Sequence, residues 1–222
     1  MLKQYNKLFE VYLYLTIIAI IFFIFGDLYY RVGYLFYLLW NLLLAWIPLI
    51  ISLYLRIILT KKLFSSWQAI IVGFIWLIFI PNSFYLLSDY IHLQEVGKST
   101  ILYDVLLFSI IIFTGVLIGF SSVSMVFAEF KKRFSKTSCY FILSLIFLII
   151  SFGIYIGRDL RWNSWDVVIN PAGLLLDVFY QLKNFSNYPS MLIIVFSYFL
   201  IMISLFLGLS KIIKLSGKIY KA

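Results

Sequence analysis

Six stretches of this chain run for about twenty residues almost without charge, the length a helix needs to cross the hydrocarbon of a bilayer. Residues 32–55, 63–88, 105–128, 137–157 and 184–210 are wholly uncharged. The run 11–26 is shorter, but Phe9 and its flanking aromatics extend it to a sixth span. None alternates apolar with polar residues as a barrel strand must. Only 12% of the chain is charged, against about a quarter in soluble domains, and 64% is hydrophobic. One soluble core cannot hide that much apolar surface. The expectation is an all-α polytopic bundle of six transmembrane helices, at about 9–26, 34–55, 67–87, 105–127, 138–157 and 190–210. Residues 1–222 then form a single membrane-embedded domain. The basic start followed by an apolar run resembles a signal peptide. No small-x-small cleavage site follows, and the run passes into Asp27, so it reads as an uncleaved first span.

The net charge of +9 is carried in short clusters between the apolar runs, the pattern of loops facing anionic headgroups rather than of a nucleic-acid surface. Lys3, Lys7, Arg56, Lys61, Lys62, Lys131, Lys132, Arg133, Lys136, Lys211, Lys214, Lys218 and Lys221 fall on one side. Those are thirteen of the eighteen cations. Arg31, Lys98, Arg158, Arg161 and Lys183 fall on the other. The positive-inside rule then places both termini in the cytoplasm. The acids show the opposite bias: only Glu10 and Glu129 are cytoplasmic. Asp27, Asp89, Glu95, Asp104, Asp159, Asp166, Asp177 and the single histidine, His92, fall outside. The outer face thus carries nearly all the acid–base chemistry available.

Within the spans, Pro48 and Pro81 each remove a backbone donor, a break tolerated where neighbouring polar groups satisfy the freed carbonyls. Asn82 stands beside the second break, and Asn41 seven residues before the first. Gly115 and Gly119 form a GxxxG step suited to close helix approach within the bundle. Cys139, the only cysteine, excludes an intramolecular disulfide and reads as a small apolar residue at a span end. No internal repeat is apparent. The last outer loop, 158–189, contains Asn170–Pro171, a cap followed by proline at the first helical position. It predicts a short amphipathic helix lying in the outer interface, with Leu174, Leu175, Val178, Phe179 and Leu182 on one face and Asp177 and Gln181 elsewhere.

Three polar clusters are expected on the outer face: Asp89 with His92, Asp104, and the segment 158–166. If that segment is helical, Arg158, Arg161, Trp162 and Trp165 share one side, and Asp159, Asn163 and Asp166 the other. One chemistry open to them is a mixed carboxylate–imidazole metal site, for zinc or manganese, from Asp89, His92, Asp104 and one of Asp159 or Asp166. Another is an anion site with Arg158 and Arg161 as clamps. Asn163, Asp166, Trp162 and Asp104 complete its ligand-binding set, and His92 oriented by Asp89 is the proton carrier. The same groups also suit mutual neutralisation, Arg158 with Asp159 and Arg161 with Asp166, with the tryptophans as interface anchors. No GxSxG or SxxK supports a serine nucleophile. No cofactor is named by any motif.

Three motifs, LWNLLLAWIPL at 39–49, FIPNSFYLLSDYIHL at 79–93 and YIGRDLRWNSWD at 155–166, together resemble domain-of-unknown-function family 1361. The resemblance implies a bacterial multi-pass protein of the plasma membrane, and it carries over no catalytic residues. The functional expectation is an outward-facing polar site that binds or modifies an anionic or lipid-linked cell-envelope ligand. A small transporter or permease subunit, or an accessory subunit docking a membrane-protein partner, remains open. The orientation is directly testable: a cysteine at Ser164, on a background lacking Cys139, will react with an impermeant thiol reagent in intact cells. Reaction only after lysis would invert the topology.

Overall fold

The computed structural model describes residues 2–30, 32–95 and 101–219. Of the charges counted above, Arg31, Lys98 and Lys221 lie outside those residues, as do the side chains of Lys3, Glu95 and Lys218. Among the described residues the chain is helical nearly throughout and has no strand. The α-helices are α1 (Leu2–Tyr30), α2 (Phe36–Lys61), α3 (Trp67–Phe79), α4 (Pro81–Tyr85), α5 (Ile101–Lys131), α6 (Lys136–Arg158), α7 (Asp166–Ile169), α8 (Pro171–Lys183) and α9 (Pro189–Ile219). A 3-10 helix over Leu86–Glu95 continues α4.

Six helical segments are long and apolar enough to cross a membrane: Asn6–Tyr29, Phe36–Lys61, Trp67–Leu93, Ile101–Lys131, Lys136–Arg158 and Pro189–Leu215. They coincide with the six expected spans, and each runs past its expected C-terminal end. At 1.5 Å per residue, the 31 residues of α5 measure roughly 46 Å, well beyond a hydrocarbon core of about 30 Å. Charges end the apolar run, but not the helix. Large apolar side chains such as Leu13, Ile24, Phe74, Phe113 and Phe196 point outward, as a lipid solvent permits.

The chain forms two compact units, Met1–Glu129 and Phe130–Ala222. In the first, α5 is the most deeply embedded helix, with Leu107, Phe108, Ile111, Ile112, Ile118 and Val123 fully buried. Both proline breaks lie beside it or beside its neighbours. Pro48 sits inside α2. Pro81 opens α4, so the third span is three helical segments in line rather than one. The exposed backbone is met by side chains. Ser83 donates to the Ala45 carbonyl at 3.0 Å, three residues before Pro48. Ser122 donates to the carbonyl of Pro48 itself at 2.9 Å, and the Trp76 indole donates to Ser122 at 2.8 Å. A single buried relay therefore ties α3, α5 and α2 together at the first break.

Gly115 and Gly119 face this third span. A Cβ at Gly119 would stand 2.8 Å from the Ser83 Cβ and 2.9 Å from the fully buried Phe84 ring. At Gly115 the intruding atom would be the mobile tip of Leu86. The GxxxG step thus serves packing within this unit.

In the second unit, α6 begins at the cap Ser135, whose hydroxyl accepts from the Ser138 N–H at 3.2 Å. Cys139 is buried one turn later. Phe147 of α6 meets Phe206 of α9 edge-on with centroids 5.4 Å apart. Nearer the other end, Tyr155, Met191 and Val195 form a small core. The packing predicts a graded result. Gly119→Ala will destabilise the purified protein by about 1–3 kcal/mol, because the atoms in its way cannot move aside. Gly73→Ala, with nothing within 4 Å, will not. Comparing their thermal unfolding midpoints in detergent checks this.

Candidate functional site

The sequence-predicted residues fall into two groups, one in each unit. In the first unit, the end of the third span carries Asp89 and His92. The segment does continue helically, but as the 3-10 helix Leu86–Glu95. Residues three apart are eclipsed in that geometry, so Asp89 and His92 stand on one line. Their partners come from α2. Asn41 Nδ2 donates to Asp89 Oδ2 at 3.0 Å, and the ring of Tyr37 meets His92 edge-on at 5.1 Å.

The pairing explains why a 3-10 stretch of ten residues, unusually long for this form, is held here. Tyr37 and Asn41 are four residues apart on an α-helix, a rise of roughly 6 Å. Three residues of 3-10 helix also rise roughly 6 Å, whereas three of α-helix would rise only about 4.5 Å. The tighter helix therefore keeps both rungs in register. A further link, Tyr90 to Ser109 at 3.3 Å, joins this segment to α5.

Asp89 is buried, and Asp104, in the first turn of α5, is completely so. Neither oxygen of the Asp104 carboxylate has a hydrogen-bond partner among the described residues. Its neighbour Tyr103 donates to the carbonyl of Phe22 and fixes this end of α5 to α1. The opposite end of the same unit holds a pair that the sequence reading missed. There the buried Glu129 meets Arg56 at 3.2 Å. Their separation of 73 positions hides it from any local pattern.

In the second unit, the segment after α6 is a loop rather than a helix, so the expected division into two helical sides does not form. The physical reason is Arg161, which adopts φ 61, the left-handed region that non-glycine residues rarely occupy. This reversal lets the Trp162 N–H return to the Ile156 carbonyl at 3.3 Å. Trp162 Nε1 donates to Asp177 Oδ2 at 2.9 Å and pins the loop to α8. Asp166 Oδ2 accepts from the Asn163 backbone N–H at 2.6 Å and from its side-chain amide at 3.4 Å. The expected Arg161–Asp166 pair is accordingly not made. Arg161 is exposed and forms no ion pair among the described residues. Desolvation holds the Asp159 carboxyl above the usual carboxylate range, with the adjacent Arg158 guanidinium pulling the other way.

Helix α8 starts where the Asn–Pro signal places it, with Asn170 Oδ1 accepting from the Gly173 N–H at 3.1 Å. Two of its polar side chains bond back to the protein. Gln181 is buried and accepts from the Tyr155 hydroxyl at 3.2 Å, alongside the Trp162–Asp177 bond. Leu175, Leu176, Phe179 and Leu182 are exposed, while Leu174 and Val178 of the expected apolar face are half-buried.

Among the described residues there is no group of three or more His, Cys, Asp or Glu side chains arranged to hold a metal ion. The mixed set of Asp89, His92, Asp104 and Asp159 or Asp166 is therefore not assembled. A family model described as Protein of unknown function (DUF1361) matches residues 40–204. That span includes the motifs at 79–93 and 155–166 and nearly all of 39–49. No curated protein and no solved structure matches the chain. A match running through five of the six candidate spans settles the relationship: the chain belongs to the DUF1361 family.

Proposed function

We propose that this is a bacterial plasma-membrane protein, both termini cytoplasmic, that binds or modifies an anionic, lipid-linked ligand of the cell envelope at its outer face. The family model runs through both compact units, which supports treating 1–222 as one functional domain. One observation carries the binding assignment. Arg161 presents an exposed guanidinium on strained backbone while the nearest expected counter-ion, Asp166, is committed to capping Asn163. Strain of this kind costs about 1–3 kcal/mol and persists where the surrounding structure imposes it. Here the bonds of Trp162 and Asp166 on either side impose it.

In this reading Arg161 and Arg158 grip a phosphate or carboxylate, because a guanidinium fork matches such groups bidentately. Asn163, Asp166 and Trp162 hold the loop in shape. The apolar face of α8, tied to the same loop through Asp177, lies in the membrane interface and receives the ligand's hydrocarbon. Within the first unit, His92, steered by the Asp89–Asn41 and Tyr37 contacts, is a candidate proton carrier in its own right. A second reading, a small transporter or permease subunit, is favoured by the burial of Asp104 inside a spanning helix, since ionisable groups there mark ion or substrate paths.

Two measurements test the first reading. Arg161→Gly will weaken binding of short-chain phosphatidic acid to the nanodisc-embedded protein at least tenfold by calorimetric titration. Its unfolding temperature will stay the same or rise, since glycine takes a positive φ freely. Equal affinity in the two proteins would remove Arg161 from the site. Arg158→Ala and His92→Ala will accumulate in membranes at wild-type levels on immunoblots. Loss of both to degradation would show instead that these residues hold the fold together.

A further inference from the structure

The anion-site reading above gives the carboxylate of Asp104 no role. Its side chain has no solvent exposure, and neither oxygen has a hydrogen-bond partner among the described residues. An isolated carboxylate in a low-dielectric interior is too costly to persist unless a counter-charge or donors reach it. The other buried acids of this unit follow that rule: Glu129 is met by Arg56, and Asp89 by Asn41. Asp104 differs from both. We infer that Asp104 is the anchoring ligand of a site for a small monovalent inorganic cation at the α1–α5 end of the first unit.

The charge count selects the class of ion. A single carboxylate is balanced by a single positive charge. Divalent ions recruit several carboxylates, and no group of three acidic, histidine or cysteine ligands exists among the described residues. Complete burial excludes a bulky ammonium headgroup and suits an ion that enters stripped of most of its water. This assignment stands independently of the anion site: Arg161→Gly leaves it intact, and losing it leaves the arginine loop unaltered.

The test uses the full chain in nanodiscs at fixed ionic strength, with N-methylglucamine chloride replaced stepwise by sodium, lithium or potassium chloride. At least one of these ions will raise the unfolding temperature saturably, by about 5 °C at concentrations far above its dissociation constant. Asp104→Asn will abolish that dependence, and in cation-free buffer it will unfold at or above the wild-type temperature because it buries no charge. Equilibrium dialysis of the wild type with the radioactive isotope of the stabilising ion will give about one ion per chain, which keeps the test decisive if the variant fails to accumulate. Insensitivity of the wild type to all three ions, or cation dependence that survives in Asp104→Asn, overturns the assignment.

Discussion

A polar group inside a bilayer has no water to turn to, and the first unit gathers buried side-chain hydroxyls around the break at Pro48. The hydroxyls of Ser83 and Ser122 donate to the carbonyls of Ala45 and Pro48 on α2, and Trp76 donates in turn to Ser122. Each of these donors lies on a different helix from its acceptor. The hydrogen bonds around the break therefore also set which helices are neighbours and at what level. They draw the third span and α5 toward α2 at one level, and the absence of a Cβ at Gly119 is what allows Ser83 and Phe84 to come that close.

From this level outward, the third span is no longer an uninterrupted α-helix. Pro81 restarts it, and within one more turn the chain tightens into the 3-10 form that carries Asp89 and His92. The tightening has a consequence for chemistry. On a continuing α-helix, positions three apart diverge around the axis; on the 3-10 helix they eclipse, and both side chains meet the Asn41–Tyr37 face of α2. The posture of the proposed proton carrier thus traces back to the break at Pro81, next to the level at which Ser83 and Ser122 bond to α2 around Pro48.

Much of this architecture was legible in the residues because lipid imposes a coarse rule on composition. The six spans, the break at Pro81, the packing use of Gly115 and Gly119, and the Asn170 cap all follow from local patterns with a physical cause. The rest depends on distance in sequence or on backbone geometry. Arg56–Glu129 joins residues 73 positions apart, and Trp162–Asp177 joins a loop to a helix across a turn no motif announces. The loop at 159–165 looked compatible with a helix because helical propensity is read residue by residue. Nothing in the letter R at position 161 signals a left-handed φ, and that one dihedral redirects every side chain after it. The same reversal separates Arg161 from Asp166, which is why the neutralised arrangement the residues suggested does not form.

The polarity of α8 follows from which solvent it meets. In water, a surface helix turns its charges out and its leucines in; here Gln181 is buried and Asp177 is tied to Trp162, while Leu175, Leu176, Phe179 and Leu182 are left outside. That inversion costs free energy in water and gains it against hydrocarbon, at roughly 25 cal/mol per Å² of apolar surface removed from water. Its two bonds position the helix, Gln181 against Tyr155 of α6 and Asp177 against Trp162 of the arginine loop. In the proposed reading, the apolar face that would rest in lipid then holds the guanidinium that would meet an anion at the lipid's edge.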